Sequence, residues 1–403
     1  MSLVVLSISG LLLNVLVGRF YGAATLGFFN ETYAVYILGS QIAVGSVHLS
    51  LQKYVAETNN QNKLNQIITP GLALAFCFAV VAAALIYFLR FSVAEFLSSP
   101  DVAIGIYYIV PGLILFAFNK TLLGILNGLR KMKAFAFFQG MRYLLIVGFI
   151  VLAIGKHAPS QNLPLAFSYA EAVLFVGLAF YTKRYFQFVA IKNWKGWFGK
   201  HFQFSYSSLG GNILADVNTR VDILILGYFL SDQKVGIYSF AAILAEGFSQ
   251  ILVVLKNNVN PVLANLSGRK RIVELADVVR AGVRLTYKYA AFLGVVAIGL
   301  YPLILKFLTK GDFNQSFLVF VILMVGIILS SGYQPFQMLL AQAGYPKFYT
   351  LLILVVFLAN VVLNVILIPL LGIYGSAIAT ALSFVVSAMI LKVLTRRIIK
   401  VSI

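Results

Sequence analysis

Eight ionisable side chains lie inside segments that are otherwise apolar: Glu31, Lys120, Arg142, Glu171, Asp216, Arg220, Asp222 and Glu246. A charged group inside a bilayer is costly, and such residues mark ion or substrate pathways and proton relays. The seventh apolar segment is the richest in polar groups. It carries residues every three or four positions that a helix places on one face, namely Ser205, Ser208, Asn212, Asp216 and Arg220. We expect this face to contact protein or water rather than lipid.

The cations among these residues have alternative structural interpretations. Asp216 and Arg220 are four residues apart and could form a closed ion pair. Lys120 and Arg142 each lie about 10 Å from the predicted cytoplasmic ends of their helices, at 1.5 Å per residue. They could form one cationic patch at an inner opening, or extend to the inner headgroups.

The acids and amides also allow more than one interpretation. Glu31 could be an interfacial carboxylate, and Glu171 could balance a cation on another helix. Asp222 lies on the opposite side of the helix from Arg220, where Asn218 or another helix could pair with it. Two further polar residues on a later helix, Asn360 and Asn364, are expected to form hydrogen bonds between helices. The Gly124–Gly128 pair matches GxxxG, a motif too common to interpret.

Several enzymatic chemistries have no motif in this chain. The Gly-Lys pairs at 155–156 and 199–200 lack the upstream glycine of a P-loop, because Ile150 and Trp194 occupy that position. Neither G-x-S-x-G nor H-E-x-x-H occurs. The three histidines show no ligand spacing, so no metal site is predicted. The sole cysteine, Cys77, cannot form an internal disulfide.

The composition identifies the elements that must position these residues. The chain has 403 residues, of which 61% are hydrophobic and 11% charged, whereas soluble domains are about 25% charged. The mean hydropathy is +0.94. These values exclude a soluble enzyme and predict an all-α membrane protein with about twelve transmembrane helices. The segments lie near 2–18, 26–49, 68–90, 103–127, 135–155, 162–182, 205–230, 235–256, 284–308, 314–342, 347–371 and 374–395. Pro335 is expected to kink the tenth.

The 31 Lys and Arg residues outnumber the 12 Asp and Glu residues and give a net charge of +19. Most of these cations lie in the C-terminal tail or in the loops that follow even-numbered segments. The positive-inside rule therefore predicts that both termini are cytoplasmic. Because this sorting explains the basic excess, no nucleic acid partner is needed. No Lys or Arg precedes the first segment, which we expect to be a retained helix rather than a signal peptide.

The two halves of the chain resemble each other. Gly18-x-Phe20 and Leu26-Gly27-Phe28-Phe29 align with Gly227-x-Phe229 and Val235-Gly236-Ile237-Tyr238, at one constant offset. Each half contains six segments, which predicts two six-helix lobes related by a two-fold axis along the membrane normal, with the substrate path between them. We place the N-terminal lobe at residues 1–198 and the C-terminal lobe at 199–403.

Two loops have amphipathic patterns. An interfacial linker near 183–204 contains Trp194 and Trp197 among lysines, which is typical of a segment on the cytoplasmic membrane surface. Residues 266–283 place Ile272, Leu275, Val279 and Val283 at helical spacing. Both loops are interpreted as membrane-surface anchors.

Several motifs of the chain are similar to those of a known family. Gly18-Arg19-Phe20-Tyr21-Gly22, Leu26-Gly27-Phe28-Phe29 and Lys53-Tyr54-Val55-Ala56-Glu57 resemble the opening of polysaccharide-export flippases. These are the Wzx-type O-antigen transporters of the multidrug/oligosaccharidyl-lipid/polysaccharide (MOP) superfamily. The second half agrees through Arg220–Leu230 and Val235–Ser239. The resemblance implies a MATE-like fold and alternating access in a bacterial inner membrane.

The resemblance also implies a substrate and roles for the intramembrane residues. The chain would move a polyprenyl-diphosphate-linked oligosaccharide from the cytoplasmic to the periplasmic leaflet. Cations would hold the diphosphate, with Arg220, Lys120, Arg142 and Asn212 as candidate substrate-binding residues. The candidate ion-coupling carboxylates are Asp216, Glu246, Glu31 and Glu171. No cofactor is expected beyond a coupling proton or sodium ion, and a polysaccharide polymerase and other assembly proteins are the expected partners.

Two other functions remain as alternatives. An ion-coupled multidrug exporter of the same superfamily would need an acidic cavity for organic cations, whereas basic and acidic groups are mixed in this chain. A membrane polysaccharide polymerase or ligase typically carries a long periplasmic loop, and the outer loops predicted here are short. We therefore expect a secondary transporter rather than an enzyme.

Overall fold

A computed structural model of the chain describes residues 2–58, 60–186, 194–269, 271–309 and 311–399, with backbone alone for residues 2–5, 7 and 211–216. Within these ranges every regular element is a helix. The α-helices are α1 Ser2–Val44, α2 Val47–Ala56, α3 Gln61–Phe96, α4 Pro100–Gly128, α5 Met132–Gly155, α6 Leu165–Thr182, α7 Trp194–Val217, α8 Val221–Phe229, α9 Asp232–Gly268, α10 Ile272–Leu308, α11 Ser316–Ser330, α12 Leu339–Gln342, α13 Pro346–Leu371 and α14 Ile373–Leu394. Short 3-10 turns occupy Ser160–Asn162 and Gln334–Phe336, and a π-helical turn follows at Thr395–Ile399.

The predicted apolar segments all coincide with helices. Among the described residues, nine helices are long and apolar enough to cross a membrane, or ten if the bent pair around Pro335 is one span. The bend there is 57°, which confirms the predicted kink. The count is below twelve because α1 contains two predicted segments, divided at Gly22. The polar segment at 205–230 adds no further span to the count, and it is two helices, α7 and α8, rather than one.

The chain forms two compact units. The first comprises Met1–Tyr21 and Phe28–Arg220, and the second comprises Gly22–Gly27 and Val221–Ile403. The division by contacts therefore falls at Arg220, while the boundary placed at residue 198 stays a prediction about lobe organisation.

The core of the first unit lies where α2, α3, α4 and α6 meet. Its buried side chains include Val47, Leu51, Ile67, Leu122, Leu126 and Leu174. The backbones of α2 and α4 lie close together. A Cβ built at Gly124 would lie only 2.5 Å from the carbonyl oxygen of His48, and one built at Gly128 would lie 2.7 Å from that of Gln52. The GxxxG pair, which the sequence analysis left uninterpreted, is therefore a helix-packing site.

The core of the second unit contains the amphipathic stripe at 266–283. Leu275 and Val279 are fully buried and pack with Phe336 and Leu339. Within the stripe, Leu275 and Val279 are therefore covered by the same unit, whereas Ile272 is exposed; the interpretation of the stripe as a membrane-surface anchor stays a prediction. Period and hydropathy alone do not distinguish a lipid surface from a protein surface.

Two glycines of the predicted repeat mark a close crossing inside the second unit. A Cβ at Gly27 would overlap the carbonyl oxygen of Asp232, and a Cβ at Gly236 would overlap that of Ala23. The repeat makes Gly27 equivalent to Gly236 and Ala23 equivalent to Asp232. The contact is thus reciprocal, as a two-fold relation requires. This geometry supports the internal repeat independently of the sequence match.

We expect Gly236→Val to prevent stable folding, because its side chain would overlap backbone atoms that cannot move as a flexible side chain can. Gly247→Val is the matched control, since Gly247 lies on the same helix and a Cβ there would meet nothing within 4 Å. The measurement is the yield and thermal stability of the purified protein. Equal stability of the two variants would contradict the close crossing.

Candidate functional site

A buried ion pair lies in the first unit between α5 and α6. The Nε of Arg142 is 2.7 Å from Oε1 of Glu171, and its Nη2 donates to Oε2 at 3.3 Å. Asn119 of α4 donates to Oε2 at 2.7 Å, and the Tyr36 hydroxyl of α1 donates to Oε1 at 3.3 Å. The Glu171 side chain is 1% exposed. Its charge is balanced by a cation on another helix, as one of the two interpretations of Glu171 proposed.

Arg220 lies in the same unit, in the break between α7 and α8. Its N–H donates to the carbonyl oxygen of Val217 at 3.0 Å, and its guanidinium carbon is 5.3 Å from the centre of the Tyr33 ring. Tyr33 stacks on Phe167 at 5.3 Å, and Phe167 stacks on Tyr36 at 5.1 Å. Arg220 is partly exposed. It therefore lies on an aromatic cluster whose other end contacts the buried ion pair.

Tyr143 of α5 lies within electrostatic range of Arg142, Arg220 and Glu171. The fold therefore brings together three residues from α5, α6 and the α7–α8 break.

The other predicted site residues are distributed elsewhere. The side chains of Asn212 and Asp216 lie outside the described residues. Lys120 is partly exposed and interacts electrostatically with His48 of α2. Glu31 is fully buried within the first unit, whereas Glu246 is exposed on α9.

A second polar network lies inside the second unit. The Tyr238 hydroxyl of α9 donates to Oδ2 of Asp222 in α8 at 2.6 Å, and it is 3.4 Å from the Thr380 hydroxyl of α14. One turn earlier on α14, the Ser376 hydroxyl donates to Oδ1 of Asn364 in α13 at 2.8 Å. Tyr238, Ser376 and Asn364 are fully buried.

This network joins one carboxylate to hydroxyl and amide oxygens from four helices. Such oxygens are the ligands of hard cations, and a carboxylate among hydroxyls can also carry a proton. The sequence by itself indicates only pairing between helices for Asp222 and the two asparagines. The missed signal is the four-residue spacing of Asn360 with Asn364 and of Ser376 with Thr380, on helices joined by a tight turn at Gly372.

The start of α7 is held to α2 and α3 through His201. Its Nδ1 is 2.7 Å from the Ser50 hydroxyl, and its Nε2 is 3.0 Å from the carbonyl oxygen of Ile67. Tyr54 packs edge-on against both His201 and Trp197. This part of the interfacial linker therefore packs on protein, with His201 fully buried.

His201 makes the stability of the protein sensitive to acid. It precedes the predicted span at 205–230, and burial lowers the pKa of its imidazole to about 4. An unfolded histidine titrates near 6.5. Folding therefore favours the neutral ring, and stability is lost as the pH falls from about 6.5 to about 4, by up to about 3 kcal/mol.

We expect His201→Gln, which keeps polar groups but does not titrate, to make the fall in melting temperature between pH 7 and pH 4.5 clearly smaller than in the wild type. His157→Gln is the control because His157 is exposed, and it should keep the wild-type profile. An unchanged profile in His201→Gln would contradict the role of the buried imidazole.

Comparisons with known proteins identify relatives for most of the chain. A family described as "Polysaccharide biosynthesis protein" matches residues 10–267, and one described as "MatE" matches residues 208–366. The "Probable flippase AglR" of Haloferax volcanii is 27% identical over 207 residues, which are 50% of this chain and 41% of that protein. The chain thus spans less than half the length of this relative.

Solved structures show the same fold. An inward-facing multidrug resistance MATE family transporter of the MOP superfamily superposes with a TM-score of 0.81 at 12% identity, covering 99% of this chain and 95% of the other. The lipid II flippase MurJ, in an inward closed conformation, has a TM-score of 0.76 at 16% identity, covering 97% and 85%. These likenesses confirm the predicted MATE-like, all-α membrane fold.

Proposed function

Because this chain belongs to the polysaccharide biosynthesis protein family and has the fold of MOP-superfamily transporters, we propose that it is a lipid-linked oligosaccharide flippase. It moves a polyprenyl-diphosphate-linked oligosaccharide from the cytoplasmic to the outer leaflet by alternating access, in surface polysaccharide assembly of the Wzx type. Its membrane is the cytoplasmic membrane, with both termini inside. A polysaccharide polymerase is its expected protein partner.

The observation that carries this proposal is the family match over residues 10–267. The partial match to a protein named as a flippase supports it. The chemistry of the first unit is also suitable, because a diphosphate needs a cation that can reach it within the membrane.

Arg220 meets this requirement better than Arg142. The Arg142 guanidinium is buried against Glu171, so its charge is already balanced. Arg220 is partly exposed, and its guanidinium carbon lies 5.3 Å from the centre of the Tyr33 ring. A planar guanidinium matches the geometry of a phosphate group and can contact it through two N–H donors. Lys120 and Asn212 remain secondary candidates for the same anion.

A coupling ion is a further part of the proposal. The Asp222 network in the second unit offers a carboxylate, hydroxyls and amide oxygens to a sodium ion or a proton. We place the coupling step there in preference to Glu246, which is exposed, and to Glu171, which is committed to Arg142. Asp216 and Glu31 stay candidates from the sequence.

We expect Asp222→Asn to reduce ion-driven transport by at least about tenfold, equivalent to about 1.4 kcal/mol in the barrier, because the amide does not titrate and lacks the negative charge of the carboxylate. Glu246→Gln should transport normally. The measurement is transport by proteoliposomes with and without an imposed proton or sodium gradient. If Glu246→Gln loses the gradient response and Asp222→Asn keeps it, the coupling site is on α9.

The direct test of function is reconstitution with a fluorescent polyprenyl-diphosphate oligosaccharide, where translocation is scored by protection from an external quencher. The MatE match over residues 208–366 favours a multidrug exporter as the second candidate. Efflux of a fluorescent organic cation from the same vesicles tests it. Movement of the glycolipid without efflux supports the flippase, and efflux without glycolipid movement refutes it.

A further inference from the structure

An apolar cleft opens between α3, α4 and α6 of the first unit. Its volume is about 740 Å³, within the range of sites that bind small organic ligands. Its walls include Leu72, Phe76, Phe118, Leu122, Phe175 and Ala179. The cleft is distinct from the Arg142–Glu171 pair and from the Asp222 network, neither of which contributes a side chain to its lining.

The walls offer few hydrogen bonds to a polar ligand, because the donors in the described lining are the indole N–H of Trp194 and the ammonium group of Lys183. The two wall hydroxyls belong to Thr69 and Thr182, and each already donates to its own helix. Thr69 donates to the carbonyl oxygen of Asn65 at 3.1 Å, and Thr182 donates to that of Leu178 at 2.7 Å. A sugar placed here would lose most of its hydrogen bonds to water without replacement, whereas a hydrocarbon chain would lose none. The cleft therefore selects an apolar chain.

The mouth of the cleft is cationic. Lys183 lines it, at the end of α6 that the basic loops predict to be cytoplasmic. The next residue, Arg184, stacks on the Tyr181 ring at 3.7 Å, and Nζ of Lys131 lies 5.4 Å from the Tyr185 ring. Lys183 itself is exposed, so its ammonium group can reach an anion at the mouth.

The apolar walls and the cationic mouth together match one kind of molecule. Between Lys183 and Phe175 the helix rises about 12 Å into the predicted membrane, so a chain in the cleft would end at the headgroup level. A diphosphate carries more negative charge than a phosphodiester headgroup, so it should be attracted more strongly to Lys183, the cation of the described lining. We propose that this cleft binds the polyprenyl chain of the lipid carrier, with its diphosphate at Lys183. This inference rests on the proposed function, for which it assigns a docking site in the cytoplasmic leaflet.

The first unit contains a matched control for the test. A smaller cleft of about 330 Å³ lies near the opposite end of α6 and is lined by Ala153 and Lys156, among other residues. Ala153→Trp and Lys156→Gln therefore make in this smaller cleft the same two substitutions that Ala179→Trp and Lys183→Gln make in the larger one. Thermal stability of each purified variant shows whether it is folded.

The experiment is photolabelling of the purified full chain with a diazirine-bearing polyprenyl diphosphate that carries no sugar, followed by peptide mapping. We expect labels on α3 and α6 at the cleft, displaced by unlabelled polyprenyl diphosphate but not by phosphatidylglycerol. Ala179→Trp should reduce this labelling at least about tenfold by filling the cleft, and Lys183→Gln about tenfold by removing a charged donor. The two control variants should label as the wild type does.

Three outcomes would overturn the inference: labels elsewhere, displacement by phosphatidylglycerol as effective as by the diphosphate, or unchanged labelling of folded Ala179→Trp. The proposed function is tested separately by glycolipid movement in vesicles. Movement without labelling of the cleft refutes this docking site alone. Labelling of the cleft without movement refutes the flippase alone.

Discussion

Arg220→Ala is expected to abolish glycolipid transport while the protein remains folded in the membrane. The guanidinium is partly exposed on the Tyr33 ring, so its removal leaves no large cavity. The loss of a charged contact to a diphosphate should cost about 3 kcal/mol, roughly a hundredfold in transport. Arg220→Lys keeps the charge but loses the planar fork, and partial activity is expected.

A structural role for Arg220 gives a different pattern. If Arg220 only neutralises Asp216, each single alanine variant strands a charge, and the double variant should recover what either loses. A diphosphate ligand predicts no such recovery. Tyr33→Phe and Tyr33→Leu form a matched pair, because phenylalanine keeps the ring that supports the guanidinium and leucine does not. Transport by proteoliposomes is the measurement, and full transport by Arg220→Ala would reassign the residue to structure.

The second large effect concerns stability, at the Arg142–Glu171 pair. Arg142→Met should destabilise the protein by about 3–5 kcal/mol, because it leaves a buried carboxylate without its cation. Glu171→Leu should do the same to the guanidinium. In the double variant no charge is stranded, so most of the loss should be recovered. Thermal unfolding of purified protein measures all three.

An exposed pair provides the control for this cycle. Nη2 of Arg280 is 2.9 Å from Oδ1 of Asp277, with side chains 50% and 66% exposed. Water screens such a pair, and its double-mutant cycle should give less than about 1 kcal/mol. Equal coupling in the two pairs would contradict the buried geometry. Loss of transport in a fully stable Glu171→Gln protein would instead assign Glu171 to ion coupling.

The helical membrane architecture could be predicted from the sequence because its causes are local. A backbone in lipid must satisfy its hydrogen bonds within each segment, so a long apolar run predicts a helix without any knowledge of its neighbours. The kink at Pro335 also has a local cause, because a proline has no backbone N–H to donate to the hydrogen bonds of a helix. The charged residues within the apolar segments can also be found from the sequence, because the free-energy cost of placing a charge in lipid depends on the segment that carries it.

The partners of those charges were decided only by the tertiary structure. Arg142 and Glu171 are on different helices, as are Asp222, Tyr238 and Thr380. A helical face predicts which residues point the same way, but not which helix will cover them. For the same reason the sequence does not show that protein covers Leu275 and Val279.

The close backbone crossings show most clearly which features can be predicted from the sequence and which require the tertiary structure. Gly27 and Gly236 were visible from the sequence as equivalent positions of a repeat, and Gly124 and Gly128 as a common motif. Only the folded chain shows that each lies against the carbonyl of another helix. The sequence by itself determined the class of protein, the helices and the polar residues within them, because apolar periodicity and bilayer cost act along the chain. The tertiary structure decided the pairs, the networks and the cleft, because these depend on distances between helices that no local pattern encodes.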